Sequence, residues 1–187
     1  GIIIADVEGS GITAAIVTGV LRSAVSIIYK KLGLNTAKFV KYLNKHLINT
    51  MTDLHATCCY AVINKSEQTV TFSKAGKNYP LIWRDSKQTF VDFDCKGTGL
   101  GLDPDAFYGT VKFKYKPGDK IVLFTNGIIN QKDTMDIQFT VEKLKKILKD
   151  SFIENEDDIL NNTYQRVIDF TGKDELDDDI TMTLIEF

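Results

Sequence analysis

Strand-like and helix-like periodicities are segregated along this chain, and that ordering restricts its fold more than any other feature. Between Ala56 and Phe124 six short segments have the texture of β-strands: Ala56–Ile63, Thr69–Lys74, Tyr79–Arg84, Thr89–Phe93, Val111–Tyr115 and Lys120–Phe124. A turn at Asn64–Glu67 follows the first, and the first four segments predict an antiparallel meander. Lys116-Pro117-Gly118-Asp119 joins the last two segments, with Pro presetting φ and Gly supplying the turn, so a hairpin is expected there. Gly97, Gly99 and Gly101 mark an irregular loop.

Helical periodicity flanks this block on both sides. Ile12 to Lys31 carries Ile16, Val20, Ala24, Ile27 and Ile28 at helical spacing, with Gly33 as a stop. Asn35 or Thr36 caps a second helix running to about His46, with Phe39, Val40, Leu43 and Leu47 on one face. Two more helices are expected at Val141–Leu148 and about Asp157–Phe170. The chain opens with an apolar strand, Ile2 to Ala5, ending at Asp6, and closes with a strand at Ile180–Phe187. Such segregated runs predict an α+β domain with helices covering sheet faces, and exclude a regularly alternating parallel sheet.

Bulk properties narrow the function. At 187 residues the sequence fits one domain, 1–187, large enough to bury a substantial core. A formal charge of −2, with the Lys residues dispersed apart from a helical group at Lys143, Lys145, Lys146 and Lys149, gives no basic field for nucleic acid. The best apolar run, Ala14 to Leu21, is interrupted by Thr18 and Gly19 and falls short of the roughly 20 residues that cross a bilayer. No membrane contact by this chain is expected. Cys58 and Cys59 are adjacent and point to opposite faces of a strand, and Cys95 is remote, so the three read as small buried residues of a cytoplasmic protein. Neither His46 nor His55 sits in a recognisable cysteine-enzyme motif.

Three segments are candidates for chemistry. Asp6-Val7-Glu8-Gly9-Ser10-Gly11 places an acid at a strand end before a Gly-containing turn into a helix. Its Gly9-x-Gly11-x-x-Ala14 spacing matches a dinucleotide fingerprint superficially. The acids Asp6 and Glu8 would repel a pyrophosphate, however, and a second helix follows where that fold needs a strand. Asp177-Asp178-Asp179 lies just before the last strand, either as a solvated turn or as hard oxygen ligands for Mg²⁺ or Mn²⁺. The third, Lys116 through Thr125-Asn126-Gly127, is a turn, an apolar strand and a polar residue before Gly, in which Asn126-Gly127 alone reads as a turn dipeptide.

Together these segments resemble the PPM family of metal-dependent protein serine/threonine phosphatases, in its SpoIIE/RsbU branch. Ala5-Asp6-Val7-Glu8-Gly9-Ser10-Gly11 is similar to that family's G-D-V-S-G-H-G, and the likeness continues through Ala14-Ala15 and Leu21-Arg22. It returns in Ala56-Thr57, in Ala75-Gly76-Lys77 with Pro80-Leu81, and in Gly97-Thr98-Gly99-Leu100-Gly101. Pro117-Gly118-Asp119 through Thr125-Asn126-Gly127 and then Asp178-Asp179-Ile180-Thr181 complete it, in family order across nearly the whole chain.

The resemblance implies an antiparallel β-sandwich flanked by helices, a four-layer αββα arrangement, here lacking the first strands. It implies hydrolysis of phosphoserine or phosphothreonine on a regulatory protein, such as a phosphorylated STAS-type anti-sigma-factor antagonist, with two Mn²⁺ or Mg²⁺ ions. Asp6 and Asp178 would carry the metal chemistry, Val7 would add its backbone carbonyl, Asn126 would stand at a further ligand position, and Asp179 would support Asp178 from behind. The resemblance also implies a sensory or membrane-linked module upstream and allows a homodimer.

Three departures stand against full activity. Asn126 replaces an acid of the family's T-D-G with a neutral amide, Ser10 and Lys77 replace its histidines, and an acidic hairpin found upstream in the family does not precede Gly1. A truncated chain and a degenerate phosphatase fold that only binds a partner both fit these gaps.

Overall fold

The computed structural model describes residues 1–9, 11–50, 54–76, 80–173 and 176–187. Contacts group the chain into two compact units, one built from Gly1–Tyr79 with Phe93–Lys116 and the other from Pro80–Asp92 with Pro117–Phe187.

The first unit holds β1 (Ile2–Val7), α1 (Gly11–Leu32), α2 (Thr36–Thr50), β2 (Ala56–Asn64) and β3 (Thr69–Ala75). The second contributes β4 (Leu81–Arg84) and β5 (Thr89–Val91) before the chain returns to the first with β6 (Val111–Lys114). The remaining elements, β7 (Lys120–Phe124), α3 (Asn126–Ile129), α4 (Thr140–Glu154), α5 (Ile159–Thr171) and β8 (Met182–Glu186), all belong to the second unit. Each unit has one antiparallel four-stranded sheet, in the orders β1-β2-β3-β6 and β5-β4-β7-β8.

The strand segments are those expected, but they do not form one meander. The β6 strand pairs with β3, whereas β7 pairs with β4 and β8, so the Lys116–Asp119 turn is not a hairpin. The cause is local. Asp119 is buried and its carboxylate accepts hydrogen bonds from Arg84 Nη1 at 2.6 Å and the Asp85 N–H at 3.1 Å, while the Gly118 N–H donates to the Phe187 carbonyl at 2.6 Å. The turn is thereby fastened to the ends of β4 and β8 rather than folded back on β6.

Period-2 alternation sets the faces of β1. Ile3 and Val7 pack against a core that contains Val17, Leu21, Ala24 and Ile28 of α1 and Phe39, Val40, Leu43 and Leu47 of α2. Asp6, between them in phase, projects from the opposite face of the sheet. The buried face of α1 is turned from the one the sequence predicts: Val17, Leu21, Ala24 and Ile28 are inside, while Ile16 and Ile27 are 51% and 59% exposed. Both stripes have helical spacing, and only packing chooses between them. As a whole, α1 is long and apolar enough to cross a bilayer by length and composition, which a search for uninterrupted apolar runs does not find. Its neighbour α2 starts as expected, with Asn35 Oδ1 accepting from the Lys38 N–H at 3.0 Å.

In the second unit Trp83 of β4 makes edge contacts with Phe90 of β5 and Phe152 of α4, at ring distances of 5.4 and 5.3 Å. The expected helix at Val141–Leu148 extends to Glu154 and closes on Asn155, whose φ of 50° is left-handed. Asp158 caps α5 through its side chain, accepting from the Asn161 N–H.

Candidate metal centre

In the first unit, Asp6 stands in the last rungs of β1, opposite Thr57 of β2, and Val7 stands opposite Ala56. The strand reaches Val7, beyond the end at Ala5 that the sequence marks, because the Glu8 N–H donates to the His55 carbonyl at 3.0 Å and holds one more rung. On the other side of Ala56, Leu100 exchanges both backbone hydrogen bonds with it, at 3.1 and 2.8 Å. Three motif segments distant in sequence, Asp6-Val7, Ala56-Thr57 and the Gly97–Gly101 loop, are thus neighbouring backbones. Asn44 pins that loop from α2, donating from Nδ2 to the Asp103 carbonyl and accepting from the Gly101 N–H, both at 2.8 Å. Ser10 and Lys77 lie outside the described residues.

In the second unit the Thr125-Asn126-Gly127 and Asp177-Asp178-Asp179 segments are brought together. Thr125 donates its N–H to the Thr181 carbonyl at 3.0 Å, and its Oγ1 accepts from the Thr181 N–H at 3.2 Å. Asn126 opens a single-turn helix rather than the tight turn its sequence suggests, and the Asn130 N–H closes that turn on the Asn126 carbonyl at 3.0 Å. Gly127 is required by close approach. A Cβ there would lie 1.9 Å from the Asp179 carbonyl oxygen and 3.4 Å from Asp178 Oδ2. The Asp178 carboxylate is therefore beside the α3 turn that carries Asn126, and its Oδ1 accepts from the Asp179 N–H at 2.8 Å.

The three consecutive acids have different environments. Asp177 is bonded to Lys173 Nζ through both carboxylate oxygens, at 2.9 and 2.7 Å, and that hydrogen bond is the leading cause holding its carboxyl below the usual range. Asp178 and Asp179 are exposed, and an open groove of about 650 Å³ runs past Asp177 and Asp178 along Tyr164, Ile168, Leu176 and Ile180. Asp179 supports Asp178 through its backbone N–H, while its carbonyl faces Gly127.

The sequence reading overlooks Gln131. This side chain is fully buried, donates from Nε2 to the Gly127 and Asp178 carbonyls, both at 2.9 Å, and accepts at Oε1 from the Asp177 N–H at 3.0 Å. A glutamine two residues past a short helix has no periodic signature, so only the fold reveals it. The three cysteines are buried free thiols, and desolvation raises the pKa of each, Cys58 to about 12, which disfavours the thiolate.

The candidate donors expected from the sequence are all hard oxygen, taken in each unit by itself: Asp6 and the Val7 carbonyl in the first, Asp178 and the Asn126 amide in the second. Such donors suit Mg²⁺ or Mn²⁺ and not softer ions. Among the described residues no three His, Cys, Asp or Glu side chains are gathered into a ready cage, in keeping with an amide where a carboxylate would add charge. The residues fit such a cation in donor type and are short of carboxylates.

Two antiparallel sheets flanked by helices define the fold of PP2C-type protein phosphatase domains. The SiaA-PP2C domain of Pseudomonas aeruginosa matches with a TM-score of 0.86 over 99% of this chain and 74% of that one, at 16% identity. RsbX in complex with magnesium matches with a TM-score of 0.66 over 97% of this chain and 78% of that one, at 18% identity. The family model for Stage II sporulation protein E matches residues 1–187, and the chain belongs to the SpoIIE family. Among curated relatives, the phosphoserine phosphatase RsbU of Bacillus subtilis (strain 168) is 27% identical over 185 residues. That alignment covers 98% of this chain, which spans about half, 54%, of the length of RsbU. The expected family and fold class are both borne out.

Proposed function

We propose that this chain is the catalytic domain of a metal-dependent phosphatase that hydrolyses phosphoserine or phosphothreonine on a regulatory protein. The observation that carries the reading is the fastening of the Asp178 loop to the α3 turn in a chain whose full length belongs to the SpoIIE family. Such rigidity suits a carboxylate that must hold a cation. The substrate class that fits is a phosphorylated STAS-type anti-sigma-factor antagonist, presented to a cytoplasmic domain that is part of a longer sensor.

In this reading Asp6, the Val7 carbonyl and Asp178 would hold two Mn²⁺ or Mg²⁺ ions, with Asn126 at a weakened position. When bound, those ions supply a water of lowered pKa and neutralise charge on the phosphoryl oxygens. The role of the chain is to orient. Paired β-strands hold Asp6 at the end of β1, and hydrogen bonds from the Gln131 side chain and the Asp179 N–H hold Asp178 ahead of β8. Asp179 keeps the Asp178 carboxylate turned by donating its N–H to Oδ1.

Hydrolysis of p-nitrophenyl phosphate with Mn²⁺ tests this reading. Asp6→Asn and Asp178→Asn should each lower the rate roughly 100-fold or more, and metal-independent turnover, or full activity in both variants, would sink the mechanism. Asn126 favours a second reading, a phosphatase fold kept as a binding module. Calorimetry separates the two: no Mn²⁺ binding at millimolar metal, even in Asn126→Asp, supports the module, whereas tighter binding in Asn126→Asp supports the enzyme.

A further inference from the structure

We propose that Gln131 is a positioning residue for the metal centre, with its carboxamide setting the location of Asp178 relative to Asn126. The inference rests on the reading of Asp178 as a metal ligand. An apolar side chain is the default at a fully buried position, and burying an amide is costly unless it is bonded. Gln131 is fully buried and satisfied on both sides. The two Nε2 hydrogens go to carbonyls of two separate segments, Gly127 and Asp178, and Oε1 takes the Asp177 N–H.

The chemistry of the partners accounts for the residue type. Two carbonyl oxygens must be met by two donors and one N–H by an acceptor, and among side chains of this length only a carboxamide offers that set. A glutamate would present oxygen to both carbonyls, and a methionine would leave all three groups without their partner. The residue is itself fixed from the other side, since the Phe139 N–H donates to the Gln131 carbonyl at 2.8 Å and Phe139 is buried. One end of the bridge is therefore anchored in the core, and the other sets the backbone on both sides of the Asp177–Asp178 peptide.

Partners one shell behind a metal ligand set its orientation, and their loss typically weakens metal binding about 10- to 100-fold. The test is Mn²⁺ calorimetry on the 187-residue chain, comparing wild type with Gln131→Met, Gln131→Glu and Asp178→Asn, alongside the melting temperature of each metal-free protein. Both Gln131 variants should weaken Mn²⁺ binding by about tenfold or more while the metal-free protein stays folded at the temperature of measurement. Lowered melting temperatures with unchanged Mn²⁺ affinity would show a purely structural role and overturn the inference.

The controls distinguish failure of this inference from failure of the reading beneath it. If wild type binds Mn²⁺ and Asp178→Asn weakens it, but the Gln131 variants bind normally, the positioning role alone is lost. If Asp178→Asn does not alter binding, or wild type binds no Mn²⁺, both fall. Should neither Gln131 variant fold, the wild-type protein decides by NMR. The Gln131 side-chain NH₂ signals should shift on saturation with Mg²⁺, and unmoved signals overturn the proposal.

Discussion

Acidic residues in this chain divide by what their carboxylates touch, and Asp119 shows the structural kind. It belongs to a segment that resembles a family motif, yet it is 3% exposed and committed to Arg84 and to the backbone of Asp85. The Arg84 side chain is itself only 18% exposed, so withdrawing its carboxylate partner leaves the guanidinium in a poorly solvated place. Asp119→Ala should therefore destabilise the protein by about 3 kcal/mol, read as a lower urea midpoint, with Mn²⁺ affinity unchanged in the folded protein. Asp177 is a milder case, held by Lys173 on the surface. Among the described residues Asp178 forms no such ion pair, which separates it from a neighbour that sequence alone treats as equivalent.

At the scale of elements, the junction between α4 and α5 has a pH dependence of known sign. The Glu156 carboxylate accepts from Ser151 Oγ at 2.8 Å, Asn162 Nδ2 at 3.2 Å and Arg166 Nη2 at 2.5 Å. The Ser151 hydrogen bond leads the causes that hold its pKa below the ordinary 4.5. A carboxyl with a lower pKa in the folded state stabilises fully above its unfolded value, and that contribution disappears as pH falls through the folded value. Melting temperatures should accordingly drop more steeply below about pH 4.5 in wild type than in Glu156→Gln. The elements also show how much the sequence discloses. Periodicity places α2, β2 and β3 within a residue or a few, because one face of each is plainly apolar. It misplaces the buried face of α1, where the exposed Ile16 and Ile27 extend the apolar surface beyond the packed face. It makes Lys116–Asp119 a hairpin because turn chemistry is local, whereas the buried Asp119 carboxylate that redirects the chain is a long-range contact. Among the candidate residues, Asp6, Val7, Asn126 and Asp178 are proposed from an ordered motif set; Gln131 has no sequence signal, because its three partners are assembled only in the folded chain.

For the whole molecule, the ordering of strands between sheets governs how it unfolds. The first unit is interrupted in sequence by β4 and β5, and the second by residues 93–116, so each sheet is completed only by strands on the far side of the other unit's insertion. Closing such loops links the formation of one sheet to the chain path of the other. Urea unfolding should be a single transition, with the fluorescence of Trp83, the sole tryptophan and a residue of β4, coinciding with far-UV circular dichroism. Separated midpoints would show that the second unit opens by itself. The same interleaving constrains inheritance. A recombination crossover anywhere from residue 79 to residue 117 parts strands of at least one sheet, since β1–β3 need β6 and β4–β5 need β7. Neither sheet can be gained, lost or exchanged as a contiguous stretch of gene, so the two sheets can only be acquired together.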